Sequence, residues 1–278
     1  MPELPEVETL RRDLEREIGG KRVKTVEVTG TGAVQHLTKK QFAERLEGAK
    51  IASVGRRDLR LVAKLDTGDL LVFTLEGGGH LRRQTPKDER VKGTKMIVTF
   101  TQGGQLRAID DESHLEVALV AAEDLLTEFP DLAELGPDPV DEPMSWTAFA
   151  NLVVRRKGTK LRALIVDRTF IAGIGPVYAD EILHAAGLRL DRDAGSLSTQ
   201  ELRRLYRAVV ETLHEAAKHR GVTLGDDGFT DLAGKPGGWM GELQVYERDG
   251  LACNRCRSVV SKIRFAGKPA YECLSCQV

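Results

Sequence analysis

Two cysteine pairs, Cys253-x-x-Cys256 and Cys273-x-x-Cys276, with sixteen residues between them, constrain the end of this chain more tightly than anything else in it. Paired cysteines at this spacing read as a four-thiolate zinc site. Sixteen residues are too few to enclose an apolar core, so the expected product is a short hairpin folded by its metal. The alternative for four cysteines is a disulfide or redox pair. No apolar run is long enough to span a bilayer, and the start lacks a basic-then-apolar signal pattern. The expected setting is therefore a reducing cytoplasm, with no membrane partner, where metal is favoured over disulfides. Charge is segregated around these cysteines. The formal net charge of the chain is -1, so composition does not mark a nucleic-acid binder. From residue 248 onward, however, Arg248, Arg255, Arg257, Lys262, Arg264 and Lys268 face only Asp249 and Glu272. That asymmetry points to phosphate contact.

The opposite end is also unusual. The chain opens Met1-Pro2-Glu3-Leu4-Pro5-Glu6-Val7-Glu8. Once the methionine is removed, Pro2 presents a secondary amine with a pKa of about 8, well below that of a lysine. Part of it is neutral at neutral pH and can attack the anomeric carbon of a sugar, leaving an iminium. Glu3 and Glu6 fall in the first turns of a helix predicted over 4–18, whose apolar face is Leu4, Val7, Leu10, Leu14 and Ile18. Acids at a helix start ordinarily complement the macrodipole. Beside a nucleophilic amine, Glu3 can also shuttle protons.

From Val23 to about Val120, β-branched segments alternate with turns: 23–28, 51–54, 59–65, 70–75, 96–101 and 106–109, with a short helix at 39–46. This half reads as a β-sandwich or barrel. The Pro- and acid-rich stretch 134–144 reads as a linker. Helices follow at 145–154, 160–166, 176–186 and 198–219, with Ser145 and Ser198 as N-caps and a capping box from Ser198 to Glu201. Glycine is dense over 221–241, and a mobile loop is expected there. The segment Asp167–Leu183 joins two helices through Gly173 and Gly175, where backbone amides at the next helix start can hold a phosphate. A helical hairpin without a ligand has the same pattern.

Together these pieces resemble the formamidopyrimidine-DNA glycosylase and endonuclease VIII family, and within it the formamidopyrimidine branch. The resemblance rests on residues 2–8, on the helix–two-turn–helix segment 170–187, on Gly234-Lys235-Pro236-Gly237, on Glu242-Leu243-Gln244-Val245-Tyr246 and on the cysteine pairs. It implies an α+β fold: an N-terminal β-sandwich with flanking helices over 1–133, a linker over 134–144, a helix–two-turn–helix domain over 145–246 and a zinc β-hairpin over 247–278. It implies a DNA-repair glycosylase with AP-lyase activity, acting as a monomer on damaged or abasic DNA, nucleoid-associated when bound, and holding one structural zinc through Cys253, Cys256, Cys273 and Cys276. The catalytic residues implied are Pro2, Glu3 and Glu6; the DNA contacts are Arg162, Gly175, Tyr178, Lys235 and Lys268.

The departures from the family pattern are informative. In Arg56-Arg57-Asp58-Leu59-Arg60-Leu61, Leu59 stands where the family carries a lysine, and Arg60 would point to the other strand face. Gly77, Glu112 and His114 occupy places where the family inserts a methionine, an arginine and an aromatic ring into the duplex. Pro176 replaces a phosphate-binding asparagine, and Lys268 replaces an arginine. The pattern fits excision of bases that are already unpaired. It also fits two other readings, a non-catalytic or lyase-only protein that binds damaged or structured DNA, and a zinc-hairpin interaction module.

Overall fold

The computed structural model describes residues 2–29, 34–75, 79–111, 115–225 and 228–278. The residues that stand where the family inserts a wedge into the duplex, Gly77, Glu112 and His114, lie outside them, as does Met1. The chain divides into two compact units. The first is residues 1–133 together with 220–238; the second is 134–219 together with 239–278. The helical segment expected over 145–246 is thus interrupted, because residues 220–238 pack with the N-terminal half.

The first unit opens with α1 (Leu4–Ile18) and continues through β1 (Val23–Val28), α2 (Lys39–Leu46), β2 (Ile51–Arg57), β3 (Arg60–Leu65), β4 (Asp69–Leu75), β5 (His80–Gln84), β6 (Thr94–Phe100), β7 (Gln105–Ile109), β8 (Leu115–Ala121) and the single turn α3 (Leu125–Glu128). The strands make two four-stranded antiparallel sheets, ordered β1-β6-β7-β5 and β2-β3-β4-β8. Each sheet gives one face to a shared core, and the second sheet also buries Val62, Leu70, Val72, Ala118 and Val120 on its other face, against Leu125 and Phe129. Val23, Met96, Val98, Phe100, Leu106 and Leu81 come from the first sheet; Ile51, Val54, Leu61, Leu71, Phe73 and Leu119 come from the second; Val7, Leu10, Leu14 and Ile18 come from α1. Leu232, more than a hundred residues further along the chain, is buried in the same core. Burying such a side chain is worth roughly 1.5–3 kcal/mol.

The second unit is helical: α4 (Trp146–Val154), α5 (Leu161–Ile165), α6 (Pro176–Ala186) and α7 (Thr199–Lys218), followed by a hairpin of β9 (Ser261–Phe265) and β10 (Lys268–Glu272). Ser145 and Ser198 cap α4 and α7 as expected, the latter in a reciprocal box with Glu201. Phe149 packs edge-on against Phe170 and is tilted against Tyr206, joining α4 and α7 to the turn between α5 and α6. The hairpin turns at Ala266 and Gly267, both with positive φ (49° and 79°), the conformation that lets a two-residue turn follow the strand twist. No described helix is long and apolar enough to cross a membrane.

Candidate active site and DNA-contacting elements

Pro2 is buried immediately before α1. Glu3 is the N-cap, with extended backbone, and it exchanges a reciprocal capping box with Glu6. The Glu3 amide donates to Glu6 Oε2 at 2.9 Å. The other oxygen of Glu6 accepts the amide of Val222 at 2.8 Å. Both carboxylates are almost fully buried. Glu6 is therefore a brace between the helix start and the 220–238 segment. Gly221, at φ +75°, lies against it, and a Cβ at that position would run into the Glu6 carboxylate. The glycine-dense stretch expected as a mobile loop is hydrogen-bonded over its described residues. Arg83 donates its amide to Leu232 O, Arg82 binds Thr230 Oγ1 and Asp231 O, and Gly237 donates to Thr223 Oγ1.

Glu8, one turn further along α1, gathers Arg11, Arg12 and Arg56. Burial pushes its carboxyl up, but the hydrogen bond from Arg11 and the charge of Arg56 prevail and hold it at about 2. Arg56 ends on this pair with its side chain 1% exposed. The β2–β3 hairpin then turns through Asp58, at φ +55°, and Leu59. Leu59 packs against the core. Arg60 does not stand in for the missing lysine, because it pairs with Asp131 at 2.7 Å and lies over the Phe129 ring.

Lys235 is exposed on a tight turn closed by Asp231, whose Oδ1 accepts the amides of Ala233 and Lys235. Asp231 Oδ2 accepts from Arg220, which also reaches Asp13 of α1.

In the second unit, Gly175 is the extended N-cap of α6, and Pro176 takes the first helical position. The resemblance implies DNA contacts from Arg162 and Tyr178, but both side chains are buried. The Tyr178 ring stacks at 5.4 Å on Trp239. Arg162 donates to Asp180 Oδ1 at 2.6 Å and to Pro269 O at 3.0 Å, and its guanidinium lies over Phe265. It fastens the β9–β10 hairpin to α6. Lys268, at the start of β10, is exposed.

Two acids not singled out in the sequence complete this fastening. Asp180 Oδ2 accepts the Tyr271 amide at 2.9 Å, and burial pushes its carboxyl up to about 6 despite Arg162. Glu181 accepts three successive amides, of Gln244, Val245 and Tyr246, at 2.9–3.0 Å; burial raises its pKa against their pull. The signal was present. An acid pair inside a helix that is otherwise apolar on nearly every side must find partners in the interior.

The four cysteine Sγ atoms lie within 4.8 Å of one another, and all four thiols are free. Sγ atoms of Cys256 and Cys273 are 3.4 Å apart, and those of Cys253 and Cys276 are 3.8 Å apart. A tetrahedron with metal–sulfur bonds of about 2.3 Å has edges of about 3.8 Å, so this set fits a metal ion. His184 of α6, pushed down to about 4 by burial and by Arg255, and so neutral, places Nε2 3.5 Å from Cys253 Sγ.

Residues 1–114 match the sequence model of the formamidopyrimidine-DNA glycosylase N-terminal domain, and residues 135–227 match that of the formamidopyrimidine-DNA glycosylase H2TH domain. The chain belongs to the formamidopyrimidine-DNA glycosylase family. It is 36% identical over 277 residues to a formamidopyrimidine-DNA glycosylase of Pelotomaculum thermopropionicum, covering 100% of this chain and 99% of the relative. It is 34% identical over 278 residues to that of Geobacillus kaustophilus, covering 100% of both. Among solved structures, the complex of Lactococcus lactis Fpg with DNA containing an abasic site is similar, with a TM-score of 0.87 at 28% identity and 99% of each chain covered. The wild-type Lactococcus lactis protein bound to DNA containing N7-benzyl-Fapy-dG is equally so, at 0.87 and 29%, again over 99% of each chain.

Proposed function

We propose that this protein is a DNA-repair glycosylase with AP-lyase activity that attacks its substrate through the Pro2 amine. The observation that carries the reading is the buried proline set directly against a capped helix start, with Glu3 as the cap and Glu6 bracing it. The amine attacks C1′ of the damaged nucleoside, the bond from C1′ to the base breaks, and the base leaves with a proton. Glu3 assists opening of the sugar ring, giving an iminium between Pro2 and C1′. Loss of a C2′ proton expels the 3′ phosphate by β-elimination, and a second, δ-elimination expels the 5′ phosphate. Hydrolysis then frees the amine. The chemistry requires Pro2 to be the first residue, which mass spectrometry of untagged protein checks.

DNA is the partner, engaged by a monomer. Lys235 and Lys268 are exposed cations for phosphates, and Gly175 is the backbone contact at the α6 start. Arg162 and Tyr178 act behind Lys268 and the α6 start, by holding the hairpin and packing the helix. The metal is one zinc on Cys253, Cys256, Cys273 and Cys276; when bound it supplies a crosslink rather than chemistry, since four thiolates leave no open position for water.

Reductive trapping with borohydride on DNA carrying an abasic site tests the mechanism. A covalent complex is expected, and Pro2→Gly should abolish or sharply reduce it. Tight binding without any trapping would overturn the covalent reading.

A further inference from the structure

The turn that carries Lys235 is held more firmly than an exposed turn requires. The Lys235 ammonium has no partner among the described residues. Its backbone, in contrast, is tied on every side. The Asp231 amide donates to Lys235 O at 2.8 Å, and the Gly234 amide donates to Asp231 O at 2.9 Å. Asp231 Oδ1 accepts from the Ala233 and Lys235 amides at 2.9 and 2.8 Å. Asp231 Oδ2 accepts from Arg220 Nη2 at 2.8 Å, and the same nitrogen donates to Asp13 Oδ2 of α1 at 2.5 Å. The side chains of Asp13 and Asp231 are only 1% and 5% exposed.

This arrangement is costly. Arg220 sits just beyond α7 at φ +67°, a place where glycine is the low-energy choice and an arginine is strained. Two carboxylates lose water to meet the Arg220 guanidinium, Asp13 pairing also with Arg16 through its other oxygen. An exposed turn needs none of this, because Asp and Gly close turns unaided. What the relay adds is a connection to α1, the helix that starts at the Pro2–Glu3 cap. An ammonium whose backbone is anchored to the helix that follows the nucleophile suits an anion at a set distance from the reacting carbon, and in a nucleotide that anion is the phosphodiester flanking the attacked sugar.

We propose that Arg220 and Asp231 are positioning residues that hold Lys235 in register with the Pro2 amine, so that its ammonium meets a phosphate next to the nucleotide under attack. The proposal rests on the reading that DNA is attacked at Pro2.

The test is a double-mutant cycle on abasic-site DNA, reading both the trapping rate and the salt dependence of binding. Lys235→Ala should slow trapping about tenfold and lower the slope of log affinity against log salt by about 0.7–0.9, one phosphate contact. Arg220→Gln should do the same, and the double variant should be no slower than either single one. Asp231→Ala is the companion variant if loss of Arg220 impairs folding, because it leaves the Arg220–Asp13 pair in place; it too should add nothing to Lys235→Ala. Losses that multiply to about a hundredfold would overturn the relay, as would a salt slope unchanged by Lys235→Ala. If the wild-type protein binds abasic DNA and traps nothing, the covalent reading fails instead, and the salt slopes still decide the relay.

Discussion

Leu59 and Glu8 show how differently two side chains of one unit can be read. Leu59 lies at a hairpin tip and packs on the core, and neither it nor Arg60 offers a cation where the family carries lysine. Excision of 8-oxoguanine should accordingly be slow relative to cleavage of a preformed abasic site. Leu59→Lys should raise single-turnover excision about tenfold, about 1.4 kcal/mol of barrier, with little change in abasic-site cleavage. Rapid 8-oxoguanine turnover by the unaltered chain, measured on a duplex opposite cytosine, would refute this. Glu8 matters for stability. Its replacement by Gln leaves Arg56 buried without its carboxylate, and urea unfolding should show a loss of about 3 kcal/mol. Because Arg11 and Arg56 hold the folded carboxyl at about 2, below its usual 4.5, the stabilisation is complete above pH 4.5. It is lost as pH falls from there towards 2. Urea midpoints measured across that range check the sign, and the decline should flatten in Glu8→Gln. The place of Glu3 and Glu6 in the first turns of α1 was legible in the sequence, but the capping box between them was not read there. Nor was the brace from Glu6 to Val222, since no local pattern joins residues 216 positions apart.

At the scale of elements, α1, α2, α4, α6 and α7 begin and end within a residue or so of where periodicity and caps place them, because those signals are local. β5 and β8 were missed. His80–Gln84 is an edge strand rich in polar side chains, and Leu115–Ala121 is too uniformly apolar to alternate. The sheet orders depend on pairings distant in sequence, such as β1 with β6, which no turn signal encodes. The β9–β10 hairpin depends on two sets of ties, the cysteine cluster and the acids of α6. Cys273→Ser should therefore release metal and loosen the hairpin without altering the Pro2 cap. Metal analysis should find one zinc per chain in fresh wild-type protein and less in the variant. DNA affinity should fall while borohydride trapping at saturating DNA persists. A metal-free wild-type protein with undiminished affinity would contradict the zinc assignment.

For the molecule as a whole, the family carries a wedge at positions that are here Gly77, Glu112 and His114. Glycine cannot fill the space of an extruded base, glutamate repels phosphate, and unstacking costs a few kcal/mol per step. Rates should accordingly favour a lesion in single-stranded or bubble DNA over the same lesion in a paired duplex. Side-by-side measurement of the three contexts tests this, and a clear preference for intact duplex would return the protein to the ordinary family pattern. The allocation of residues 220–238 to the N-terminal unit has a different kind of consequence. Glu6 and Asp13 each take a partner, and the core takes Leu232, from a segment that the ribosome delivers only after the helices α4 to α7 have emerged. A gene cut after codon 133 would yield an N-terminal half lacking part of its own interior. The first unit therefore cannot be inherited or exchanged apart from the second, because the first half of the reading frame does not encode a finished domain.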